Sequence, residues 1–318
     1  MQLGEGLTLK GTGVFFFLMA ALLSPTVGSV GCNPGDVIPA AGKINVVASF
    51  YPLFEAARQA GGDKAAVSSL VPAGTEPHDF EPTPKQIAGL SKARIVVFNG
   101  AGLESWMDRV LPDLKKAGTI VVNASQITDV LRMADEENPS KKVPDPHIWL
   151  DPVIMESIVN AIKEAYVQID PGNRDYYEAN AAAYVSQLDA LDKDYRTTLT
   201  KYGKRNIVTS HNAFSYLARR YGLEIIFIAG LTPEAEPSPQ QMAAVTKLVR
   251  ERGVKYIFFE TLVSPRLAET VAGEVGAQTL VFNQLEGLTN QEIAAGKNYI
   301  SVMRENLANL KTALEAQQ

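Results

Sequence analysis

NRDYYEANAAAYVSQLDALDKDYRTTLTKY, residues 173–202, runs for thirty residues with neither glycine nor proline. Its apolar and aromatic positions, Tyr177, Ala181, Tyr184, Leu188, Leu191, Tyr195 and Tyr202, recur at steps of three and four or their sum, which draws one stripe down a helix. Asp170-Pro171-Gly172-Asn173 breaks the chain before it and Gly203 can end it. At 1.5 Å per residue such a helix is a rod of about 45 Å. What flanks the rod decides the fold. Before it lie four short β-rich runs, INVVAS from Ile44, VSSLV from Val67, RIVVFN from Arg94 and TIVVNA from Thr119, with helical stretches at 84–93 and 103–117. After it lie four more, NIVTS from Asn206, EIIFIA from Glu224, YIFFE from Tyr256 and TLVFN from Thr279, separated by helices at 212–221, 239–252 and 265–275. Apolar strands alternating with helices call for parallel sheets covered on both faces. The expectation is an α/β protein of two lobes, residues 43–172 and 203–318, each a four-stranded parallel sheet flanked by helices, joined by one long rigid helix at 173–202. A last stripe, Tyr299, Met303, Leu307, Leu310 and Leu314, reads as core packing.

Composition narrows the function. The chain has 318 residues, a net charge of −5 and an ordinary globular balance of apolar and charged residues, so no basic field is present to hold nucleic acid. Its single cysteine rules out an intramolecular disulfide and a cysteine-rich zinc site. That cysteine, Cys32, follows the apolar block VFFFLMAALL, Val14 to Leu23, which is too short to span a bilayer but fits a signal-peptide core. Residues 1–31 are therefore read as a signal peptide. Ser29-Val30-Gly31-Cys32 resembles the lipobox of a bacterial lipoprotein, although Ser29 stands where leucine is favoured. Acylated Cys32 would tie the chain to the membrane through a tether at 32–42, at the outer face of the cell membrane or in the periplasm.

Three histidines carry the chemistry. His78 lies in Pro77-His78-Asp79-Phe80-Glu81-Pro82, after the strand VSSLV. His147 lies in Asp145-Pro146-His147-Ile148-Trp149-Leu150-Asp151-Pro152, just before a helix, and His211 follows NIVTS directly. Ligands of open parallel sheets bind beyond the carboxyl ends of the strands, so a cleft between the lobes would gather these imidazoles. Neutral imidazole suits Zn²⁺, and a closed tetrahedral site needs a fourth ligand. Glu260 at the end of YIFFE and Glu286 after TLVFN both qualify by position, and Asp79, Glu81 and Asp151 stand close enough in sequence to orient the imidazoles.

PHDFEPTP, DPHIWLDP, TSHNAF and EGLTNQEIAAGKNYISVMRENLANL, in that order, resemble the zinc and manganese solute-binding proteins of bacterial ABC importers (ZnuA/TroA-like) from about Lys43 onward. The resemblance implies two lobes joined by one helix, a metal ion held between them, and handover to a membrane permease and its ATPase. It also implies metal ligands at His78, His147, His211 and Glu286, with Glu260 in a supporting place. Manganese-type members tend to carry a carboxylate where His211 stands, so three imidazoles favour Zn²⁺ over Mn²⁺. Many zinc-type members have a histidine-rich loop before the second ligand, whereas residues 133–142 here hold no histidine and read as a charged surface loop. The expectation is a monomeric zinc receptor and not an enzyme. The rivals are a manganese receptor, a zinc-dependent hydrolase on the three histidines, which lacks any HExxH or GxSxG motif, and a secondary role in cell adhesion.

Overall fold

The computed structural model describes Met1 and residues 42–134, 140–233 and 237–318. The expected signal peptide, Cys32 and nearly all of the expected tether lie outside the described residues. The described residues from Gly42 onward form one compact unit.

The first lobe is built from β1 (Ile44–Ala48), α1 (Tyr51–Gly61), β2 (Ala65–Ser69), α2 (Pro84–Leu90), β3 (Ile95–Phe98), α3 (Met107–Lys116) and β4 (Ile120–Asn123). A hairpin of β5 (Arg132–Ala134) and β6 (Lys142–Pro144) follows, then α4 (Pro152–Ile169) and α5 (Arg174–Leu199). The second lobe contains β7 (Asn206–Thr209), α6 (Ser215–Tyr221), β8 (Glu224–Phe227), α7 (Pro239–Arg252), β9 (Tyr256–Phe259), α8 (Arg266–Val275), β10 (Gln278–Val281), α9 (Asn290–Ala294) and α10 (Tyr299–Glu315). All strand pairs in the two large sheets are parallel, in the orders β2-β1-β3-β4 and β8-β7-β9-β10. The lobes thus repeat one topology, and each has its change of direction between its first and third strands, where open α/β sheets bind ligands.

Period-two alternation explains how one strand serves two layers. Val46, Ala48, Ile95 and Val97 face inward, while Val47, Val96 and Phe98 face α2 and α3 with Leu90, Met107 and Leu114. In the second lobe Ile207 and Phe258 face inward, and Val208 and Ile257 face α7 and α8 with Val249 and Val271. The two inward layers belong to one continuous core that also takes in α1, α4, α5 and α10. The two α/β lobes are therefore packed on a shared interior.

The long helix α5 holds that interior together. Tyr177, Ala181, Tyr184, Leu188, Leu191, Tyr195 and Leu199 are all buried along its one stripe. It touches α1 and α4 in the first lobe and α6 and α10 in the second. Tyr177 stacks on Tyr166 of α4, and Tyr195 stacks on Tyr221 and donates to the Met303 carbonyl at 2.7 Å. Residues 171–173 form a separate 3₁₀ turn before the helix, and Thr200 caps it. The helix therefore starts one residue later and ends three residues earlier than the expected 173–202.

Three other boundaries differ from the sequence reading. Strand β2 starts at Ala65, because the ladder pairs it with Ile44. Parallel bonding nevertheless continues beyond it, through Leu70 N to the Ala48 carbonyl and Val71 N to the Ser49 carbonyl. Helix α6 starts at Ser215, since Thr209 Oγ1 donates to the His211 carbonyl and Asn212 N to the Gly230 carbonyl, which holds 211–214 in a turn. Residues 133–142, expected as a charged surface loop, begin and end in the antiparallel β5–β6 pair.

Candidate metal centre

Each of the four residues singled out reaches the site from a different connection. His78 sits in the turn after β2, where its backbone N–H donates to the Glu76 carboxylate at 3.0 Å. His147 precedes the short turn leading into α4, and the Asn99 amide pins the neighbouring Pro146 carbonyl at 2.8 Å above the end of β3. His211 follows β7 at the strand crossover of the second lobe, and Glu286 follows β10. The structure brings all four together, with one ligand-capable atom of each within 4.8 Å of the others.

The separations are those of a small coordination shell. His78 Nε2 lies 3.2 Å from His147 Nε2 and 3.2 Å from Glu286 Oε1. His147 Nε2 lies 3.4 Å from Glu286 Oε1 and 3.4 Å from His211 Nε2, and His211 Nε2 lies 3.9 Å from Glu286 Oε1. Ligand atoms about 2.0–2.1 Å from a tetrahedral ion stand about 3.3–3.4 Å apart. Four of these five edges match that distance closely, the fifth is longer by half an ångström, and the sixth, from His78 to His211, is bounded only by the 4.8 Å that contains the whole group. The side chains of His147, His211 and Glu286 are at most 1% exposed and His78 is 7% exposed. His78 therefore forms the outer corner, beside a cavity of about 410 Å³ lined by Gly102, Pro144, Leu231 and Thr232.

The far sides of two imidazoles are held by carboxylates. His147 Nδ1 donates to Asp145 Oδ1 at 2.8 Å, and the same oxygen accepts the His147 backbone N–H at 3.0 Å. His211 Nδ1 donates to Glu260 Oε2, while Glu260 Oε1 accepts the His211 backbone N–H at 3.1 Å. Each carboxylate thus fixes ring and backbone together and aims an Nε2 lone pair at the shared centre. Glu286 is steered by its own loop. Leu285 adopts φ 58°, a left-handed conformation costly for a non-glycine residue, and its N–H donates to Asn283 Oδ1 at 2.7 Å. Gln284 Nε2 donates to Glu286 Oε2 at 3.3 Å.

Of the residues expected to orient the imidazoles, Glu260 does so, but Asp79, Glu81 and Asp151 do not. Asp79 is exposed, and Glu81 pairs with Arg109 at 3.5 Å on the surface. Asp151 caps α4 by accepting the Val153 N–H at 3.0 Å and pairs with Arg220. Asp145 takes the role instead, and its only sequence signal is its place two residues before His147 across Pro146. Trp149 was also missed. Its Nε1–H donates to the Gln284 carbonyl at 2.8 Å, and its ring lies 5.2 Å from that of His147, so it links the His147 and Glu286 loops across the lobes.

The electrostatics complete the picture. Burial opposes charge on His147, but hydrogen bonds to Asp145 and Glu286 and the charges of both carboxylates outweigh it and raise its pKa to about 9. Burial likewise opposes ionisation of Glu286, yet its hydrogen bonds to His147 and His78 and the three surrounding imidazoles hold its pKa well below the usual carboxylate range. In the ion-free site one proton on His147 thus shares the centre with an ionised glutamate.

The sequence profile of the family described as "ZnuA: Zinc-uptake complex component A periplasmic" matches residues 46–313. The chain belongs to this family. It is 38% identical over 313 residues to the high-affinity zinc uptake system protein ZnuA of Bacillus subtilis, covering 96% of this chain and 98% of that relative. It is 39% identical over 278 residues to the zinc-binding lipoprotein AdcA of Streptococcus pneumoniae, covering 85% of this chain but only 56% of AdcA. The fold matches the crystal structure of the Zn(II)-bound ZnuA-like domain of S. pneumoniae AdcA with a TM-score of 0.75 at 39% identity, over 86% of this chain and all of that domain.

Proposed function

We propose that this chain is the extracytoplasmic zinc receptor of an ABC-type importer. It captures Zn²⁺ between its lobes with His78, His147, His211 and Glu286 and delivers the ion to a membrane permease driven by an ATPase. The observation that carries this reading is the buried constellation of three imidazole nitrogens and one carboxylate oxygen within 4.8 Å of one another, four of their separations at 3.2–3.4 Å. Three nitrogens and a single oxygen suit Zn²⁺ better than Mn²⁺, whose preference runs to harder oxygen donors. Glu286 occupies the corner that a catalytic zinc site leaves open for water, which favours capture over hydrolysis. Family membership supports a place outside the cytoplasm, and Cys32 is the residue that would anchor the chain there.

The test is native mass spectrometry of Asn33–Gln318 after chelation, with Zn²⁺ and Mn²⁺ offered together. One Zn²⁺ retained over excess Mn²⁺, and lost in His211→Ala, is the expected result. Preference for Mn²⁺ would overturn the choice of ion, and no retained metal would overturn the receptor reading.

A further inference from the structure

The chain as a whole carries a net charge of −5, yet one edge of the first lobe runs the other way. The strands of a parallel sheet all start at the same edge. Here Lys43 immediately precedes β1, Lys64 precedes β2 and Arg94 precedes β3, with Lys92 in the turn after α2. Lys115 and Lys116 close α3, which leads into β4. Lys43, Lys92, Arg94, Lys115 and Lys116 are exposed, and among the described residues none of the five has a side-chain hydrogen bond or ion pair. Lys64 lies over the Tyr176 ring at 5.1 Å. The acidic residues on these segments are Asp63 and Asp113. Helix dipoles explain basic residues at the ends of α2 and α3, but not Lys43 and Arg94, which precede strands.

The neighbouring surfaces bound this patch. On the α4–α5 side, Glu164 pairs with Lys163, Glu178 with Arg174, and Asp170 accepts from Asn173 and Tyr177, with Asp175 beside them. On the matching edge of the second lobe, Arg205 is turned onto the Tyr202 and Tyr221 carbonyls and Arg252 pairs with Glu224, while Lys204 and Lys255 are exposed there but on the lobe away from the point where the chain enters the body.

We infer that the edge formed by Lys43, Lys92, Arg94, Lys115 and Lys116 is a surface that rests on an anionic phospholipid membrane. Charge complementarity is one argument, and the place where the chain enters is the other. The described body begins at Gly42, beside Lys43, and Cys32 lies ten residues upstream. Ten residues reach at most about 35 Å. An anchor at Cys32, which this inference takes from the proposed function, therefore keeps this edge near the lipid. Attraction falls off within about 8 Å at physiological salt, so it acts only on a surface held that close. Each basic residue at an anionic leaflet adds about fivefold to partitioning. The metal centre lies past the opposite ends of the strands, so this contact leaves it uncovered.

The test uses Asn33–Gln318, which holds the compact unit, lacks Cys32 and cannot be acylated. It should sediment with phosphatidylglycerol-containing vesicles at low ionic strength, come off at high salt, and ignore pure phosphatidylcholine. Lys92→Glu with Lys115→Glu and Lys116→Glu should lose about tenfold or more of that binding. Lys201→Glu with Lys204→Glu and Lys255→Glu carries the same charge change on the second lobe and the segment leading into it, and should retain it. Both triple variants should keep wild-type zinc affinity. Failure of the wild-type body to bind anionic vesicles, equal loss in the two variants, or preference for soluble polyphosphate over vesicles would overturn the inference. Mass analysis of Cys32 in the exported full chain tests the anchor separately. Vesicle binding by the body without acylation would remove the anchor alone, and acylation without vesicle binding would remove the surface alone.

Discussion

His147 and His211 each have their far ring nitrogen held by a buried carboxylate, Asp145 and Glu260. Losing such a partner typically costs 10–100-fold in metal affinity even though no ligand is removed. Glu260→Gln keeps the shape and loses the charge, so it should weaken Zn²⁺ binding by about 10–100-fold in a competition titration. Unchanged affinity would exclude Glu260 from orienting His211. The proton on His147 sets a second expectation. With a pKa of about 9 in the ion-free site, His147 must give up a proton when Zn²⁺ arrives at neutral pH. Apparent affinity should therefore rise with pH up to about 9, and calorimetry in buffers of different ionisation enthalpy should find at least about one proton released. The ion-free protein should behave oppositely. Because this pKa is raised above the ordinary 6.5, the stabilisation it reports is fully present below 6.5 and lost as pH rises through 9. A zinc affinity that does not change across that range would contradict this protonation scheme.

The Glu286 loop shows what an element must do to present one oxygen. Asn306 of α10 accepts the Asn283 N–H at 2.8 Å and donates to the Asn283 carbonyl at 2.7 Å, and all of this is buried. Asn306→Leu would leave both backbone groups of Asn283 unsatisfied, at a cost of about 3 kcal/mol. Urea unfolding should read that loss and stopped-flow chelation should show faster zinc release; release at the wild-type rate would mean that the loop does not depend on Asn306. Strands and helices were legible in the sequence because period two and period 3.6 are written in apolar residues: Val46–Val47–Ala48 alternates between two layers, and Tyr177 to Tyr195 marks one face. The clustering of the three histidines was legible because proline-fixed turns and strand ends narrow where a histidine can point. Their supporting carboxylates were less so. Asp151 stood near His147 in sequence and looked like its partner, but capping α4 and pairing with Arg220, 69 residues away, claim it instead. The link from Trp149 to Gln284 spans 135 residues and leaves no local pattern at all.

At the scale of the whole molecule, two copies of one strand order share a single interior, and the metal centre is where their crossovers meet. His78 and His147 come from the first lobe and His211 and Glu286 from the second, so an ion held by all four would be a bond between lobes that are already joined by α5 and by Trp149. The central claim is that one ion is ligated from both lobes at once. Zinc-edge X-ray absorption on the one-to-one complex of Asn33–Gln318 tests it most directly. Four nitrogen or oxygen ligands about 2.0–2.1 Å from the ion, with the multiple-scattering signature of three imidazoles and no sulfur, are expected. A site with one or two imidazoles completed by water would contradict it, because a single lobe can supply that many alone and only a third imidazole requires both.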